Sequence, residues 1–318
     1  GAPGFDIACM KARVSRACGP RADYPSPVDG TDAVASATTL IWTPACDAGD
    51  QTLYLSDVRS RVEAADPCAV FAVLPPDANS FDPNGLALST TYYWRVDANG
   101  TDAGPTWSFT TADHVVIEDF DSYGISGGYL YETWHTRGRA RVGEETSYAR
   151  HSCPQSMRFT YYYDNLYSSE AYRGFNSSQD WTQAGARILA VWIYGLPDND
   201  TQGQMYAVLS DGIVGQQVIY EDDKAILTRP EWSVWKIPLT DFNNVDLTSV
   251  ASLTLGFAFP SAQSGEYGNG TIYVDDISLY SSVCLDEYRP LGDLTADCRV
   301  DHRDLGQMAA EWLRTRGQ

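Results

Sequence analysis

Oxygen-bearing side chains near the C-terminus stand at the spacing of a cation-binding loop. Asp293, Thr295, Asp297, Asp301 and Asp304 occupy positions 1, 3, 5, 9 and 12 of one stretch, and Arg299 offers its carbonyl at position 7. Hard oxygen donors in that order suit calcium, and an amphipathic run from Leu305 to Leu313 follows where an exit helix belongs. Position 6 holds Cys298 in place of the glycine that such loops use for their sharp turn. A second carboxylate, Asp275, falls by strict alternation on the strand face of Tyr273, Ile277 and Leu279. An ionised group among such neighbours must be paired, metal-bound or hydrogen-bonded to turn amides. Catalytic patterns are thin. Gly124-Ile125-Ser126-Gly127-Gly128 satisfies GxSxG, but it sits among β-rich runs and not between a strand and a helix. His114, His135, His151 and His302 are scattered, without HExxH spacing. Non-catalytic roles are therefore expected.

The 318 residues allow two domains with room for appendages. Forty-two acidic against twenty-two basic residues leave a formal charge of −20, which argues against nucleic acid or an anionic membrane as partner. Uncharged runs fall short of the roughly eighteen residues of a membrane span. The chain opens Gly1-Ala2-Pro3 with no apolar leader, so any targeting segment is expected to have been removed. Seven cysteines without a CxxC pair imply disulfides, an oxidising compartment and an extracellular location. Cys46–Cys68 and Cys284–Cys298 are the expected bridges, each closing a loop worth roughly 3 kcal/mol in the entropic model. One of Cys9, Cys18 and Cys153 is left free or intermolecular.

Helical periodicity is confined to the two ends, and the chain from Asp32 to Tyr280 consists of short β-rich runs broken by Gly, Pro, Asn and Asp. The expected class is all-β: a β-sandwich over 25–112, a β-jelly roll over 113–283, and short helical segments over 1–24 and 284–318. In Thr91-Tyr92-Tyr93-Trp94-Arg95-Val96-Asp97, Tyr92, Trp94 and Val96 share one face and Tyr93, Arg95 and Asp97 the other, as in a half-buried antiparallel strand. With Pro25-Ser26-Pro27-Val28-Asp29-Gly30, Leu40-Ile41-Trp42 and Trp107-Ser108-Phe109-Thr110-Thr111, this block resembles a fibronectin type III domain, which implies a spacer or adhesive module.

The second block carries Ile117-Glu118-Asp119-Phe120-Asp121, then Gln179-Asp180-Trp181-Thr182 and Leu189-Ala190-Val191-Trp192-Ile193-Tyr194. Glu231-Trp232-Ser233-Val234-Trp235-Lys236-Ile237-Pro238-Leu239 and Tyr273-Val274-Asp275-Asp276-Ile277-Ser278-Leu279 complete the set. In this order the stretches resemble a family 11 jelly-roll carbohydrate-binding module. That resemblance implies a structural calcium between first and last strands, for which Glu118 or Asp119 with Asp275 would supply oxygens. It also implies aromatic faces for stacking sugars: Trp134, Tyr161, Tyr163, Tyr172 and Phe257, with Tyr162 and Tyr167 as further members of the set. Sequons at Asn99, Asn176, Asn199 and Asn269 mark candidate glycosylation sites on surface loops.

Gly292 to Leu313 resembles one half of a dockerin, a module that binds calcium and engages a partner. Asp6-Ile7-Ala8-Cys9-Met10-Lys11-Ala12-Arg13-Val14 echoes Asp304-Leu305-Gly306-Gln307-Met308-Ala309-Ala310-Glu311-Trp312, which suggests a second half at the N-terminus. Two such ends imply head-to-tail pairing between copies, a heterologous contact that makes filaments. The first expectation is thus a structural extracellular protein assembling into a filament or matrix. Its alternative is an accessory carbohydrate-binding protein of a polysaccharide-degrading system. Calcium bound to the folded loop alone stabilises by about 2.7 kcal/mol at a hundredfold excess over Kd. Asp293→Ala combined with Asp304→Ala is expected to abolish calcium-dependent stabilisation of this segment in calorimetry, and an unchanged melting profile reduces the loop to an acidic turn.

Overall fold

The structure is a computed structural model that describes residues 19–46, 49–98, 103–124, 128–152, 154–164, 167–258 and 267–281, together with 292, 294, 300, 304–306 and 308. The chain divides into two units, the first comprising residues up to Leu86 and Thr90–Thr111, the second taking Ala87–Ser89 and Ala112 onward. Both are built from antiparallel β-sheets, with one parallel pair in the first.

The first unit holds β1 (Asp23–Ser26), β2 (Thr31–Val34), β3 (Leu40–Thr43), β4 (Gln51–Ser56), β5 (Val70–Leu74), β6 (Ser80–Phe81), β7 (Thr91–Ala98) and β8 (Trp107–Thr111), with a helix α1 (Arg59–Glu63) after β4. A sheet β1-β3-β6 and a sheet β2-β8-β7-β4-β5 enclose Trp42, Trp94, Trp107, Leu40, Leu53 and Phe109. The indoles pack edge to face, Trp42 on Trp94 at 6.2 Å between centroids. Gln51, fully buried, accepts from the Trp42 indole at 2.9 Å and gives its amide to the carbonyls of Pro75, Pro76 and Ala78. β7 departs from the half-buried expectation. Arg95 and Asp97 are both buried as an ion pair of 2.7 Å, with Arg95 also donating to the Glu63 carbonyl at the end of α1. A short helix laid on the sheet thus covers charges that alternation assigns to water.

Cys46 is disulfide-bonded, but Cys68 is a free, exposed thiol, so the expected Cys46–Cys68 bridge is not formed. Cys68 is held in a turn by the Asp66 side chain, which accepts its N–H at 2.8 Å, while the Cys46 N–H donates to the carbonyl of Gly19. Closeness in sequence points to a loop closure that the backbone pairing of each cysteine does not bring about.

The second unit is a jelly-roll sandwich. Its strands are β9 (His114–Glu118), β10 (Trp134–Gly138), β11 (Arg141–Glu145), β12 (Ser156–Asp164), β13 (Ser169–Gln179), β14 (Ile188–Tyr194), β15 (Gln204–Ser210), β16 (Gly215–Ile219), β17 (Trp232–Pro238), β18 (Val250–Ala258) and β19 (Tyr267–Tyr280), with α2 (Leu130–Thr133) leading into β10. One sheet runs β10-β13-β18-β15-β16; the other runs β11-β12-β19-β14-β17, with β9 also on β19. Between them lie Phe159, Tyr161, Phe257, Leu255, Ile272 and Val274 among others.

A buried carboxylate joins the two sheets. Glu118 of β9 accepts from the Phe120 N–H at 3.0 Å, the Tyr123 hydroxyl at 2.7 Å and the Trp134 indole at 3.0 Å, and it pairs with the Arg173 guanidinium of β13. Arg173 also donates to the Ile117 carbonyl. Removing one partner of such a pair leaves a charge buried without compensation. Arg173→Met is therefore expected to destabilise the second unit by roughly 3 kcal/mol, while Glu118→Gln with Arg173→Met costs clearly less than the sum of the single changes. A double-mutant cycle in urea checks this, and additive losses would show that the two groups do not act as a pair.

Candidate functional site

The outer face of the five-stranded sheet gathers polar and aromatic groups from strands far apart in sequence. Across the strands one row reads His135, Tyr172, Thr254, Val208, Gln217, and the next reads Arg137, Glu170, Gly256, Tyr206, Ile219. Each alternates with a core residue, Trp134 beside His135, Ala171 beside Tyr172 and Leu255 beside Gly256, so the burial of one set turns the other outward.

Two tyrosines on this face lie over glycines. The Tyr172 ring sits against Gly174, where an added Cβ would come within 3.1 Å of its hydroxyl, and the Tyr206 ring lies over Gly256 closely enough to exclude any side chain there. Tyr206 donates to Glu170 at 2.8 Å; burial, then its bond to Glu170, holds its hydroxyl above the usual range. Glu170 is 3.8 Å from Arg137, and the Arg137 guanidinium lies over Tyr172 at 4.3 Å from the ring centroid. Beside them opens a cavity of about 510 Å³ whose lining includes Glu132, His135, Tyr172, Gly174, Asn176 and Gln179. Planar rings, amides and charged groups around a shallow recess can stack on a sugar and hydrogen-bond its hydroxyls. A second recess, of about 520 Å³, opens by β16 and β17, with Gln217, Trp235 and Asp241 in its wall.

Of the aromatics named from sequence for stacking sugars, Tyr172 alone reaches this face. Trp134, Tyr161, Tyr163 and Phe257 are buried in the core. Tyr161 stacks on Phe257 at 3.8 Å and donates to the Asp200 carbonyl, and Tyr163 bonds the Asp200 carboxylate and accepts from the Gly203 N–H. These rings have no open face to offer a ligand. Residue type groups them with Tyr172, but parity within each strand sends them inward. His135, Arg137, Glu170, Tyr206 and Thr254 were missed; a signal was present for Tyr206 and Thr254, which stand between apolar neighbours, Met205 and Ala207 for the one and Leu253 and Leu255 for the other.

The expected calcium ligands do not come together. Ala190 pairs with Ser278 and Trp192 with Asp275, so two steps along β14 match three along β19. The extra residue is Asp276, at φ 42°. Such a bulge reverses parity: Ile272, Val274, Ile277 and Leu279 all face the core, whereas Tyr273 and Asp275 lie on the other side. Glu118, opposite Ile277, is inside the sandwich and already committed to Arg173, and Asp119 accepts the Asp121 N–H. Among the described residues no three His, Cys, Asp or Glu side chains form a metal site. Asp275 instead accepts the N–H groups of His151 at 2.9 Å and Ser152 at 3.3 Å, while the His151 ring meets Asp276 at 2.6 Å and stacks on Trp192 at 3.8 Å. Of the C-terminal loop, Asp304 is buried and accepts the Leu294 N–H at 2.8 Å. Asp293, Thr295, Asp297, Arg299 and Asp301, with Cys284 and Cys298, lie outside the described residues, as does Ser126.

The sequons differ sharply. Asn199 is buried, its amide donating to the carbonyls of Leu227 and Thr271, both at 2.7 Å, so it is not an acceptor for a glycan. Asn176 is exposed on β13, Asn269 is exposed on β19 opposite Tyr162, and Asn99 lies outside the described residues.

Comparison with known proteins brought no match to a family model and none to a curated protein. Among solved structures, the chain is similar to the family 11 carbohydrate-binding module of a cellulosomal cellulase of Clostridium thermocellum, at 12% identity and a TM-score of 0.36, over 54% of this chain and 97% of that one. A family 30 module from a cellulosomal cellulase of the same organism is similar at 12% identity and a TM-score of 0.34, over 54% and 93%. A β-1,2-glucanase from Parabacteroides distasonis is similar at 15% identity and a TM-score of 0.40, over 52% of this chain and 25% of that one. At such values the function of this chain has to be argued from its own geometry.

Burial, then the neighbouring Asp276, pushes the Asp275 carboxyl up to about 7. A carboxyl raised in the folded state contributes stability that is complete below its ordinary value of 3.8 and is lost as pH rises through about 7. Asp275→Asn is expected to keep the two amide contacts and flatten the fall in melting temperature of the second unit between about pH 4 and pH 7, measured by calorimetry in chelator. An unaltered slope would show that Asp275 is ionised throughout.

Proposed function

We propose that this chain is a non-catalytic, extracellular carbohydrate-binding protein, whose second unit holds a glycan on the outer face of its five-stranded sheet. The observation that carries this reading is Tyr172, laid over Gly174 at the mouth of a recess whose rim supplies His135, Asn176, Gln179 and Glu132. Sugar recognition asks for an aromatic surface beside hydrogen-bonding groups that are held in place by their own scaffold. Here the scaffold is the strand register, and the Tyr206–Glu170–Arg137 chain of contacts immobilises the groups beside Tyr172. The first unit is proposed as a spacer. Calcium is proposed at the C-terminal loop alone, as a structural ion for a segment that would dock a protein module. No helix among the described residues is long and apolar enough to cross a membrane. Head-to-tail assembly draws no support from the described residues, which include none of 1–18 and only scattered positions of 284–318.

Titration calorimetry of the purified chain against a panel of soluble polysaccharides tests the reading. Tyr172→Ala is expected to weaken binding at least ~10-fold while leaving the melting temperature within a degree or so, since the ring is only partly buried. Trp134→Ala, by contrast, is expected to cost roughly 3–5 kcal/mol of stability. Binding that survives Tyr172→Ala unchanged, or no binding to any member of the panel, would overturn the assignment of this face.

A further inference from the structure

The opposite face of the second unit also carries rings. Along the solvent side of the six-stranded sheet the register reads Trp232 on β17, Tyr194 on β14, Tyr273 on β19, Arg158 on β12 and Gly143 on β11, one row across five strands. The alternate positions Trp235, Ile193, Val274 and Phe159 lie in the core, so strand parity turns this row outward. The next row brings Trp192 beside Asp275. Among the described residues, Trp192 and Trp232 are the tryptophans that are not buried.

The connection from β11 to β12 is pinned at two points and lays further rings on that row. Glu145 accepts the N–H groups of Ser147 and Tyr148, both at 2.8 Å, and the Ser147 hydroxyl at 2.9 Å, while Asp275 accepts the N–H groups of His151 and Ser152 farther along. Tyr148, 60% exposed, is thereby placed 5.9 Å from Tyr194 and 5.7 Å from Tyr273 between ring centroids, and the His151 ring lies 5.5 Å from Trp232. Arg158 reaches across Gly143, where an added Cβ would meet its guanidinium at 3.4 Å. Charged groups here are met by one another: Glu145 feels the Arg158 guanidinium, the His151 ring meets Asp276 at 2.6 Å, and Glu231 pairs with Arg229 at 3.2 Å. The patch therefore offers no cluster of one sign to an ionic ligand.

Contiguous aromatic residues on the water side of a sheet mark a contact surface. These rings are tilted, by 82° between Tyr148 and Tyr194, 64° between Tyr194 and Trp232 and 75° between Tyr194 and Tyr273, so no flat crystalline surface can lie on all of them. A single glycan chain, whose sugars turn about its axis, can. A second copy of this protein is a poor occupant, because each copy brings a formal charge of −20 and the two repel. Taking from the reading above only the class of ligand, we infer that the Tyr148–Trp232 platform is a second glycan site, for a neutral polysaccharide in soluble single chains. The apolar faces of the sugars pack on the rings, and the Tyr148 and Tyr194 hydroxyls with Arg158 hydrogen-bond the sugar hydroxyls. With Tyr172 on one face of the sandwich and this platform on the other, one protein molecule bridges two polysaccharide chains.

The test follows tryptophan fluorescence, because no tryptophan lines the recess at Tyr172 and this platform holds two that are partly exposed. The full chain carrying Trp312→Phe, a position outside the described residues, is mixed with mixed-linkage β-glucan, xyloglucan, galactomannan or microcrystalline cellulose and quenched with acrylamide. At least one soluble glycan is expected to protect the tryptophans, and to do so equally in Tyr172→Ala. Tyr148→Ala is expected to weaken that binding at least ~10-fold with an unchanged melting temperature, its ring being mostly exposed. Light scattering of the same polymer is expected to rise with the parent chain and with neither single variant, and a flat signal with both faces occupied overturns the bridging. Calorimetric binding without protection, or protection that Tyr148→Ala leaves intact, overturns the second site and leaves the Tyr172 face standing. Protection by crystalline cellulose alone overturns the single-chain assignment, and protection that grows with protein concentration in the absence of glycan puts a second copy on the platform instead. Binding lost in Tyr148→Ala but unchanged in Tyr172→Ala keeps the platform and removes the Tyr172 face; no binding to any member of the wider panel removes both.

Discussion

Everything on the candidate face depends on how the second unit neutralises Glu118. A carboxylate in an apolar interior is costly unless donors and an opposite charge surround it. Tyr123, Trp134 and Arg173 meet that demand from the loop after β9, the start of β10 and the middle of β13. One group therefore draws together the strands of one sheet and the opening strand of the other. With Arg173 held against Glu118, its neighbours Tyr172 and Gly174 are thrown to the opposite side by the strand's period of two. The inward ion pair sets the outward surface. Against a hydrophobic replacement of equal volume such a pair gains little stability; its effect is on register, which determines what β13 shows to solvent.

Aromatic packing over glycine is used on both sides of the sandwich. Inside, Gly203 and Gly268 make room for Tyr163 and Gly270 for Tyr161, whose hydroxyls then tie the loop at Asp200 to β12. Outside, Gly174 and Gly256 accept Tyr172 and Tyr206. The same residue pairing thus gives buried, satisfied tyrosines at Tyr161, Tyr163 and Tyr206 and a partly open surface at Tyr172. Solvent exposure, set by the neighbouring strands, is what separates a core element from a candidate site.

Asp275 and Asp276 show how a local irregularity redirects chemistry. The bulge leaves Ile277 and Leu279 in the core and puts Asp275 on the far side, where it caps two amides of the segment at His151. A carboxylate that alternation pairs with Glu118 is in fact separated from it by the sheet. The Asp275 side chain answers the burial requirement by hydrogen bonds and a raised pKa, which is the less elaborate of the two solutions open to it.

Composition and local periodicity were enough to establish the all-β class, because alternating apolar runs between Gly, Pro and Asn turns admit few other folds. They also located most strands. For β7 they did so only in outline, since α1 covers a face of that strand which alternation left to water. Corrections fall wherever a property is not local. Trp134, Tyr161, Tyr163 and Phe257 are indistinguishable in type from a sugar platform, and only the facing sheet makes them core. Cys46 and Cys68 are near in sequence, yet Cys46 is disulfide-bonded while Cys68 is a free thiol. Asn199 matches a sequon and is consumed by Leu227 and Thr271. Arg137 and Arg139 stand close together along the chain, yet the one stacks on Tyr172 and the other on Tyr162 and Tyr167, which joins residues from separate strands and turns. What the amino-acid sequence determined by itself was which residues alternate; which side of each alternation is buried, and who stands opposite, was decided by strand pairing and one bulge, because those contacts are made between segments that share no local signal.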